Sequence, residues 1–176
     1  MYTSYFSQQR LDKGDIMENI LDVAAYIFKE YKRRSGTVID EMKLHKLLYL
    51  AQRESLAIVN KPLFRESFQG WKYGPVCLII RSSISPDGII GETKPISDES
   101  AYIVNNIIEQ YGAYESWALS NLTHKEISWR NSRIGLKDGE NGNRPIKLED
   151  IAEDAKKVRP YDSVWDMYYD EFEDGE

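Results

Sequence analysis

The chain has 176 residues, 41% of them apolar and 30% charged, and it carries a net charge of −6 at pH 7. This composition is typical of one globular domain and excludes a disordered or membrane-embedded chain, because the longest aliphatic runs are far too short to span a bilayer. The only cysteine, Cys77, excludes an internal disulfide, and two histidines without HxxxH or CxxC spacing leave no recognisable zinc site. Because the N-terminal sequence has no basic start followed by an apolar core, we expect a cytoplasmic protein without a secretory signal.

Two long helices are predicted near the start of the chain. The first runs from Asp15, which suits an N-cap, to the basic sequence KRR before Gly36, which suits a C-cap. The second runs from Asp40 to Val59, with leucines along one stripe and further apolar residues outside that stripe. A helix that is apolar on more than one side is usually packed by several neighbours, so we expect this one to be central.

The sequence FQGWKYGPV, residues 68–76, concentrates aromatic residues with glycine and proline. Trp71 and Tyr73 are one residue apart, which predicts a short extended segment that ends at Gly74 and Pro75. A ligand cage, a partner-binding surface and a structural corner would all have this composition. We favour the corner and expect both rings to pack against the central helix.

Helical patterns continue through the rest of the chain, interrupted by turns and one loop rich in Gly, Asn and Asp. No internal repeat, heptad pattern or domain linker is evident. The predicted elements are a short helix over 75–82 with Pro75 in its first position, turns over 84–96 with a small strand around Ile89 and Ile90, a helix over 98–111 between Ser97 and Gly112, a short helix over 114–122, a mobile loop over 135–145 and a last helix over 146–158.

These elements predict a mainly α fold. We expect a compact single-domain helical bundle around the central apolar helix, with small extended or β elements near residues 68–74 and 88–96. The predicted domain covers residues 14–158, and an acidic aromatic tail covers residues 159–176.

The tail carries seven acidic residues and no basic residue after Arg159. An inert, solvated end would explain the charge. Aromatic residues alternate with the acidic ones, however, and such a pattern also suits docking onto a basic surface, within the chain or on a partner. The candidate docking residues are Trp165, Tyr168, Tyr169 and Phe172.

No assembled catalytic motif is present in the sequence. It has no G-x-S-x-G, no glycine-rich phosphate loop and no H-E-x-x-H. His124 is the better candidate for acid–base chemistry, because it follows a helix end whose carbonyl groups favour the imidazolium form. A histidine that caps free carbonyls is commoner than a catalytic one. We expect His45 to be a surface or boundary residue, and we expect no catalysis and no cofactor.

Nucleic acid binding is not favoured. The sequences EYKRRSG and KLHK supply local positive charge, but basic residues are scattered and no nucleic-acid-binding signature is evident. Cations at a helix C-terminus explain the KRR group more simply.

Four sequence segments together resemble the Panacea domain, the family of SocA-like antitoxins also found in phage-associated proteins. They are MKLHKLLYLAQ at 42–52, KPLF at 61–64, FQGWKYGPV at 68–76 and LTHKEISW at 122–129. The resemblance covers roughly residues 14–155, and its order and spacing are specific, whereas KLxKLLY alone would be weak. The chain departs from the family pattern in having His45 where glutamine is usual and in a longer Gly/Asn loop after Trp129.

The resemblance implies an antitoxin that binds and neutralises a protein toxin encoded by an adjacent gene. It leaves open an adaptor that presents a partner to a protease, and a DNA-binding autoregulator stays open as a further class. The composition and the short aliphatic runs predict no membrane association. The shared residues, which either hold the domain together or contact the partner, are Lys43, Leu44, Lys46, Leu47, Leu48, Tyr49, Trp71, Tyr73, Gly74, Pro75, Thr123, His124 and Trp129. The regions 84–96 and 135–145 and the tail are then the better candidates for partner choice.

Overall fold

Helices surround one central helix, and two small hairpins complete the fold. The computed structural model describes residues 17–158, and the elements below belong to that range. In chain order they are α1 Ile20–Ser35, α2 Glu41–Val59, β1 Gln69–Trp71, β2 Gly74–Val76, α3 Leu78–Ser83, β3 Ile84–Ser85, β4 Gly88–Ile89, α4 Asp98–Tyr111, α5 Ser116–Thr123, α6 Ile127–Ser132 and α7 Leu148–Lys156. The predicted mainly α class is confirmed.

Helix α2 is the central element, as predicted. It begins at Asp40, whose side chain accepts a hydrogen bond from the backbone N–H of Lys43, and it ends at Asn60 in a left-handed conformation. Helices α1, α4, α5 and α7 and strand β2 all pack against it. Tyr49 and Leu50, which lie outside the leucine stripe, are fully buried. Because the helix is packed on several sides, it carries apolar residues on more than one of its faces.

Helix α1 begins later than predicted. Residues 17–19 are not helical, and the helix starts after Asn19, whose side chain accepts from the N–H of Leu21. Glu18 instead donates its backbone N–H to the carbonyl of Leu63 at 2.9 Å, which holds this segment extended. The predicted end is confirmed, because Gly36 has φ 74° and donates to the carbonyl of Lys32.

The sequence FQGWKYGPV forms a β-hairpin, with Trp71 paired to Gly74 and Lys72 and Tyr73 as its two-residue loop. The prediction that Pro75 begins a helix is wrong. Pro75 lies in β2 opposite Gly70, and helix α3 starts at Leu78. Proline can occupy this position because Gly70, opposite it, forms its backbone hydrogen bond with Arg144 on the other side, and the carbonyl of Pro75 accepts from Lys46.

The later elements follow the predictions closely, with one addition. Helix α4 is capped by Ser97 and ends at Gly112, and the predicted strand near Ile89 pairs with Ile84, although Ile90 lies beyond it. The prediction did not include α6, whose six residues are too few for a periodic pattern. None of the helices in residues 17–158 is long and apolar enough to cross a membrane. The acidic tail, including Trp165, Tyr168, Tyr169 and Phe172, lies outside the described residues.

Candidate binding groove

Three side chains from three different helical segments hold the hairpin through alternate backbone carbonyls. The indole N–H of Trp129 donates to the carbonyl of Trp71 at 2.8 Å. The hydroxyl of Ser120 donates to the carbonyl of Tyr73, and the ammonium of Lys46 donates to the carbonyl of Pro75 at 3.3 Å. The hairpin is therefore fixed to α2, α5 and α6 along its whole length.

Both glycines of the hairpin allow close approach. At Gly70 an added Cβ would lie 1.9 Å from Oγ of Ser132. Gly74 has φ 111°, and a Cβ there would lie 2.6 Å from Cε of Lys46 and 2.7 Å from Oγ1 of Thr123. The glycines are thus required by packing, which supports the structural interpretation for Gly74 and Pro75.

The two hairpin aromatics have different environments. Trp71 is half-buried, and its indole N–H donates to Oε1 of Gln69 at 2.8 Å. Tyr73, at the tip, is 57% exposed. The expectation that both rings pack against the central helix is therefore wrong for Tyr73, because the two-residue loop directs its side chain away from the core.

An open groove of about 750 Å³ lies beside the hairpin. The first turns of α2 form one wall and the hairpin forms another, while the end of α3 and part of the Gly/Asn loop complete the rim. Its lining residues are Glu41, Met42, His45, Lys46, Trp71, Lys72, Tyr73, Val76, Arg81, Asn141, Gly142 and Asn143. Three of the shared motif residues, Lys46, Trp71 and Tyr73, thus meet in one concave surface.

Lys46 and His45 lie in the wall of this groove, and both are buried. Lys46 is only 1% exposed, and burial lowers its pKa to about 8, although the carboxylates of Asp40 and Glu41 oppose the shift. It therefore remains charged at neutral pH. In the described part of the chain its ammonium donates one hydrogen bond, to the carbonyl of Pro75.

The expectation that His45 lies at the surface or boundary is wrong. His45 is 2% exposed; its Nδ1 accepts the backbone N–H of Cys77 at 3.2 Å, and its Nε2 lies 3.3 Å from Oε1 of Glu41. Burial, together with the charge of Lys46, lowers the pKa of His45 to about 4, so the ring is neutral. It acts as an acceptor that fixes the chain between β2 and α3.

Two cations of the groove lie over its aromatic rings. The guanidinium of Arg81 is 5.1 Å from the ring centroid of Trp71, and the ammonium of Lys72 is 4.9 Å from that of Tyr73. Arg81 also pairs with Glu41 at 3.1 Å. The rim therefore presents positive charge next to aromatic surface.

His124 belongs to a stack beside the hairpin. Its ring lies 4.1 Å from that of Trp129 at an interplanar angle of 16°, and the guanidinium of Arg133 lies 5.1 Å from the same Trp129 ring. Burial lowers the pKa of His124, and the charges of Lys46 and Arg133 act in the same direction. The expectation that a helix end favours its imidazolium form is wrong, because burial and nearby cations outweigh the helix end.

A buried polar network connects α2 to α6 and α7. The hydroxyls of Tyr49 and Ser128 are 2.7 Å apart, and Arg53 pairs with Glu126 at 2.8 Å. Asp154 accepts from the backbone N–H of Ser128 at 2.9 Å. Burial raises the pKa of Glu126 even though Arg53 opposes the shift. We assign this network a structural role, since it satisfies the first N–H groups of α6.

The remaining motif residues support the core. Leu44, Leu47 and Leu48 are fully buried, and the ammonium of Lys43 donates to the carbonyl of Gly112 at the end of α4 at 3.0 Å. Thr123 is buried and donates to the carbonyl of Ser120. In residues 17–158 no group of three or more His, Cys, Asp or Glu side chains is placed to hold a metal ion.

Several groove residues escaped the sequence-based prediction. Arg81 lies in an ordinary helical sequence, Glu41 precedes the motif at 42–52, and Met42 is its first residue but not one of the shared residues. They reach the groove only because α2 and α3 meet the hairpin in three dimensions. The loop over 135–145, a predicted candidate for partner choice, contributes Asn141, Gly142 and Asn143 to the groove.

The structure thus defines a mainly helical domain with an open groove at a β-hairpin. Residues 44–130 match the model of the family described as antitoxin SocA-like, Panacea domain. The match confirms, over these residues, the resemblance to that family that the motifs carried. No curated protein and no solved structure matches the chain.

Proposed function

We propose that this protein is an antitoxin that neutralises the toxin encoded by an adjacent gene by binding it directly. The match of residues 44–130 to the antitoxin domain carries the proposal. That family suggests a protein as the partner of this chain. In the proposal the chain acts by occupying the toxin, without catalysis and without a cofactor of its own.

Exposed aromatic residues near the groove support a protein-binding face. Tyr73 at the hairpin tip is 57% exposed. Trp117 on α5 is 66% exposed and follows Ser116, whose hydroxyl donates to Oδ2 of Asp40 at the start of α2. Large aromatic side chains that remain exposed beside a groove are typical anchors of protein interfaces. We therefore assign the contact face to the groove and its rim.

Co-expression with the neighbouring gene product tests the proposal. The neighbour alone should arrest growth, the pair should grow, and the two proteins should co-purify. Tyr73→Ala should reduce co-purification at least tenfold without changing the melting temperature, because it removes an exposed anchor. The matched control is Tyr102→Ala, since Tyr102 is also exposed on the surface but does not line the groove.

Three results would contradict direct neutralisation. If the neighbouring gene product is harmless when it is expressed alone, it is not a toxin. If rescue occurs without a detectable complex, neutralisation does not act by direct binding. Rescue that is lost in cells lacking a cytoplasmic protease would favour the adaptor function instead.

A further inference from the structure

The groove is positively charged although the chain as a whole is acidic. Its ionised lining side chains are the cations Lys46, Lys72 and Arg81 and the single carboxylate of Glu41, whereas His45 is held neutral. The net charge of the chain is −6. The seven carboxylates of residues 162–176 account for this negative charge, so the groove belongs to a part of the chain that is not acidic. A concave surface with a net positive charge concentrates the potential that an anionic partner meets there.

One of the positive charges of the groove, that of Lys46, is buried. Its ammonium donates to the carbonyl of Pro75 and lies in the wall of the groove, where its charge acts on whatever the groove contains. Replacing a buried cation by an apolar side chain of similar size is often neutral or stabilising, so stability alone does not require a lysine here. An anion bound in the groove would add to the countercharge that Asp40 and Glu41 already provide.

Arg81 and Lys72 combine positive charge with aromatic surface at the rim of the groove. Each lies over an aromatic ring, Trp71 or Tyr73, and Arg81 is 53% exposed at its side chain. One N–H of Arg81 already donates to Oε1 of Glu41 at 3.1 Å, and a guanidinium that stacks by its flat face has further N–H groups along its edge for a second carboxylate. The rings beside it offer apolar contact to the residues that flank such a carboxylate.

We propose that the groove binds an acidic segment of the partner in which Asp or Glu residues alternate with aromatic or aliphatic ones. This inference rests on the proposed antitoxin function and specifies the chemistry of the toxin surface that is recognised. A volume of about 750 Å³ suits a short segment, because cavities of this size enclose ligands of drug-like dimensions.

The partner, and not this chain's own acidic tail, is the occupant that we assign. Lys46, Trp71, Tyr73 and Arg81 all lie within the matched segment 44–130, whereas residues 159–176 lie outside it. The charged and aromatic walls of the groove are thus part of the antitoxin domain itself.

A labelled synthetic peptide tests this chemistry with the full-length protein. The probe is an eight-residue peptide of alternating Glu and Tyr with blocked ends, and its neutral counterpart has Gln in place of Glu. We expect the acidic probe to bind at low salt, with an affinity that falls as salt rises, and the neutral probe to bind at least tenfold more weakly. Fluorescence anisotropy measures both affinities.

A matched pair of variants assigns the binding to the groove. The double variant Lys72→Gln/Arg81→Gln should weaken binding of the acidic probe at least tenfold. The control Lys29→Gln/Lys94→Gln removes the same two charges from exposed positions outside the groove and should bind as the unmodified protein does. Equal affinity of the groove variant and the control, or equal binding of the neutral probe, would overturn the proposal.

The tail provides a third outcome. If the acidic probe binds only after the seven carboxylates of residues 162–176 are changed to amides, the groove is filled by this chain itself, which overturns the assignment to the partner. The rescue assay separates this inference from the antitoxin function. Rescue by Lys72→Gln/Arg81→Gln as complete as that by the unmodified protein would refute the groove proposal alone, whereas failure of the unmodified protein would refute the function.

Discussion

The carboxylate of Asp154 in α7 caps Ser128 in α6, with Oδ2 accepting from the backbone N–H of Ser128 at 2.9 Å. Its other oxygen accepts from the N–H of Ile127 at 2.8 Å. A helix of six residues has no internal partner for its first N–H groups, so a side chain 26 residues away takes the place of a local N-cap.

Asp154→Ala should therefore destabilise the protein by about 2 kcal/mol or more, because it leaves buried N–H groups without an acceptor. Asp154→Asn should cost less, since the amide oxygen still accepts. Urea denaturation measures both free energies. Glu153→Ala is the control, because Glu153 lies beside Asp154 in the sequence and forms an exposed ion pair with Lys156. A loss for Asp154→Ala no larger than that for Glu153→Ala would show that the cap is unimportant.

Lys46 should make stability depend on pH in the alkaline range. Its folded pKa is about 8 and its usual value is 10.5, so the unfolded chain binds the proton more tightly. The cost of burying the charge is complete below pH 8 and is relieved as pH rises towards 10.5. That difference corresponds to roughly 3 kcal/mol.

Lys46→Met isolates this effect. The histidines His45 and His124 lie near Lys46, but their pKa values are lowered, so neither ring takes up a proton in this range. We expect the free energy of unfolding of the unmodified protein, measured in urea from pH 7.5 to 10.5, to rise relative to that of Lys46→Met. A constant difference between the two proteins would mean that Lys46 titrates normally.

His124→Ala should leave toxin rescue intact apart from a modest loss of stability. The ring stacks on Trp129 at 4.1 Å, so its removal costs packing, and in our proposal no proton transfer depends on it. Growth rescue and the melting temperature should be measured on the same variant. Loss of rescue by a well-folded His124→Ala protein would instead point to an enzyme.

The acidic tail should accelerate association with the toxin if it docks on a basic surface there. Changing the seven carboxylates of residues 162–176 to amides should slow association at low salt, and the difference should shrink as salt rises. Stopped-flow mixing with purified toxin measures the rate. Unchanged association at low salt would indicate that the tail plays no part.

Local sequence signals predicted the helices well. The predictions that were wrong concern residues whose structure depends on contacts between distant segments. Ser97, Gly36 and Asp40 act within one turn of their helices, so their roles could be inferred from the sequence. Pro75 suits the start of a helix equally well, and only its pairing with Gly70 places it in a strand.

The groove could not be predicted from local sequence patterns, because it too is formed by segments that are distant in the sequence. His45 and Lys46 are polar residues beside an apolar stripe, which normally indicates exposure. Their partners are the N–H of Cys77 and the carbonyl of Pro75, about thirty residues further along the chain. The motifs predicted which segments matter, but not that Arg81 would join them.

The alternate carbonyls of the hairpin, each bonded from a different helical segment, also affect how this surface can bind. Because the backbone at Trp71, Tyr73 and Pro75 is already held in the free protein, little of its conformational freedom remains to be lost when a partner arrives. A preorganised wall favours slow dissociation and penalises partners whose shape differs. Changes at Lys72 and Tyr73, the two loop residues, can then alter which partner is accepted without disturbing the frame that presents them.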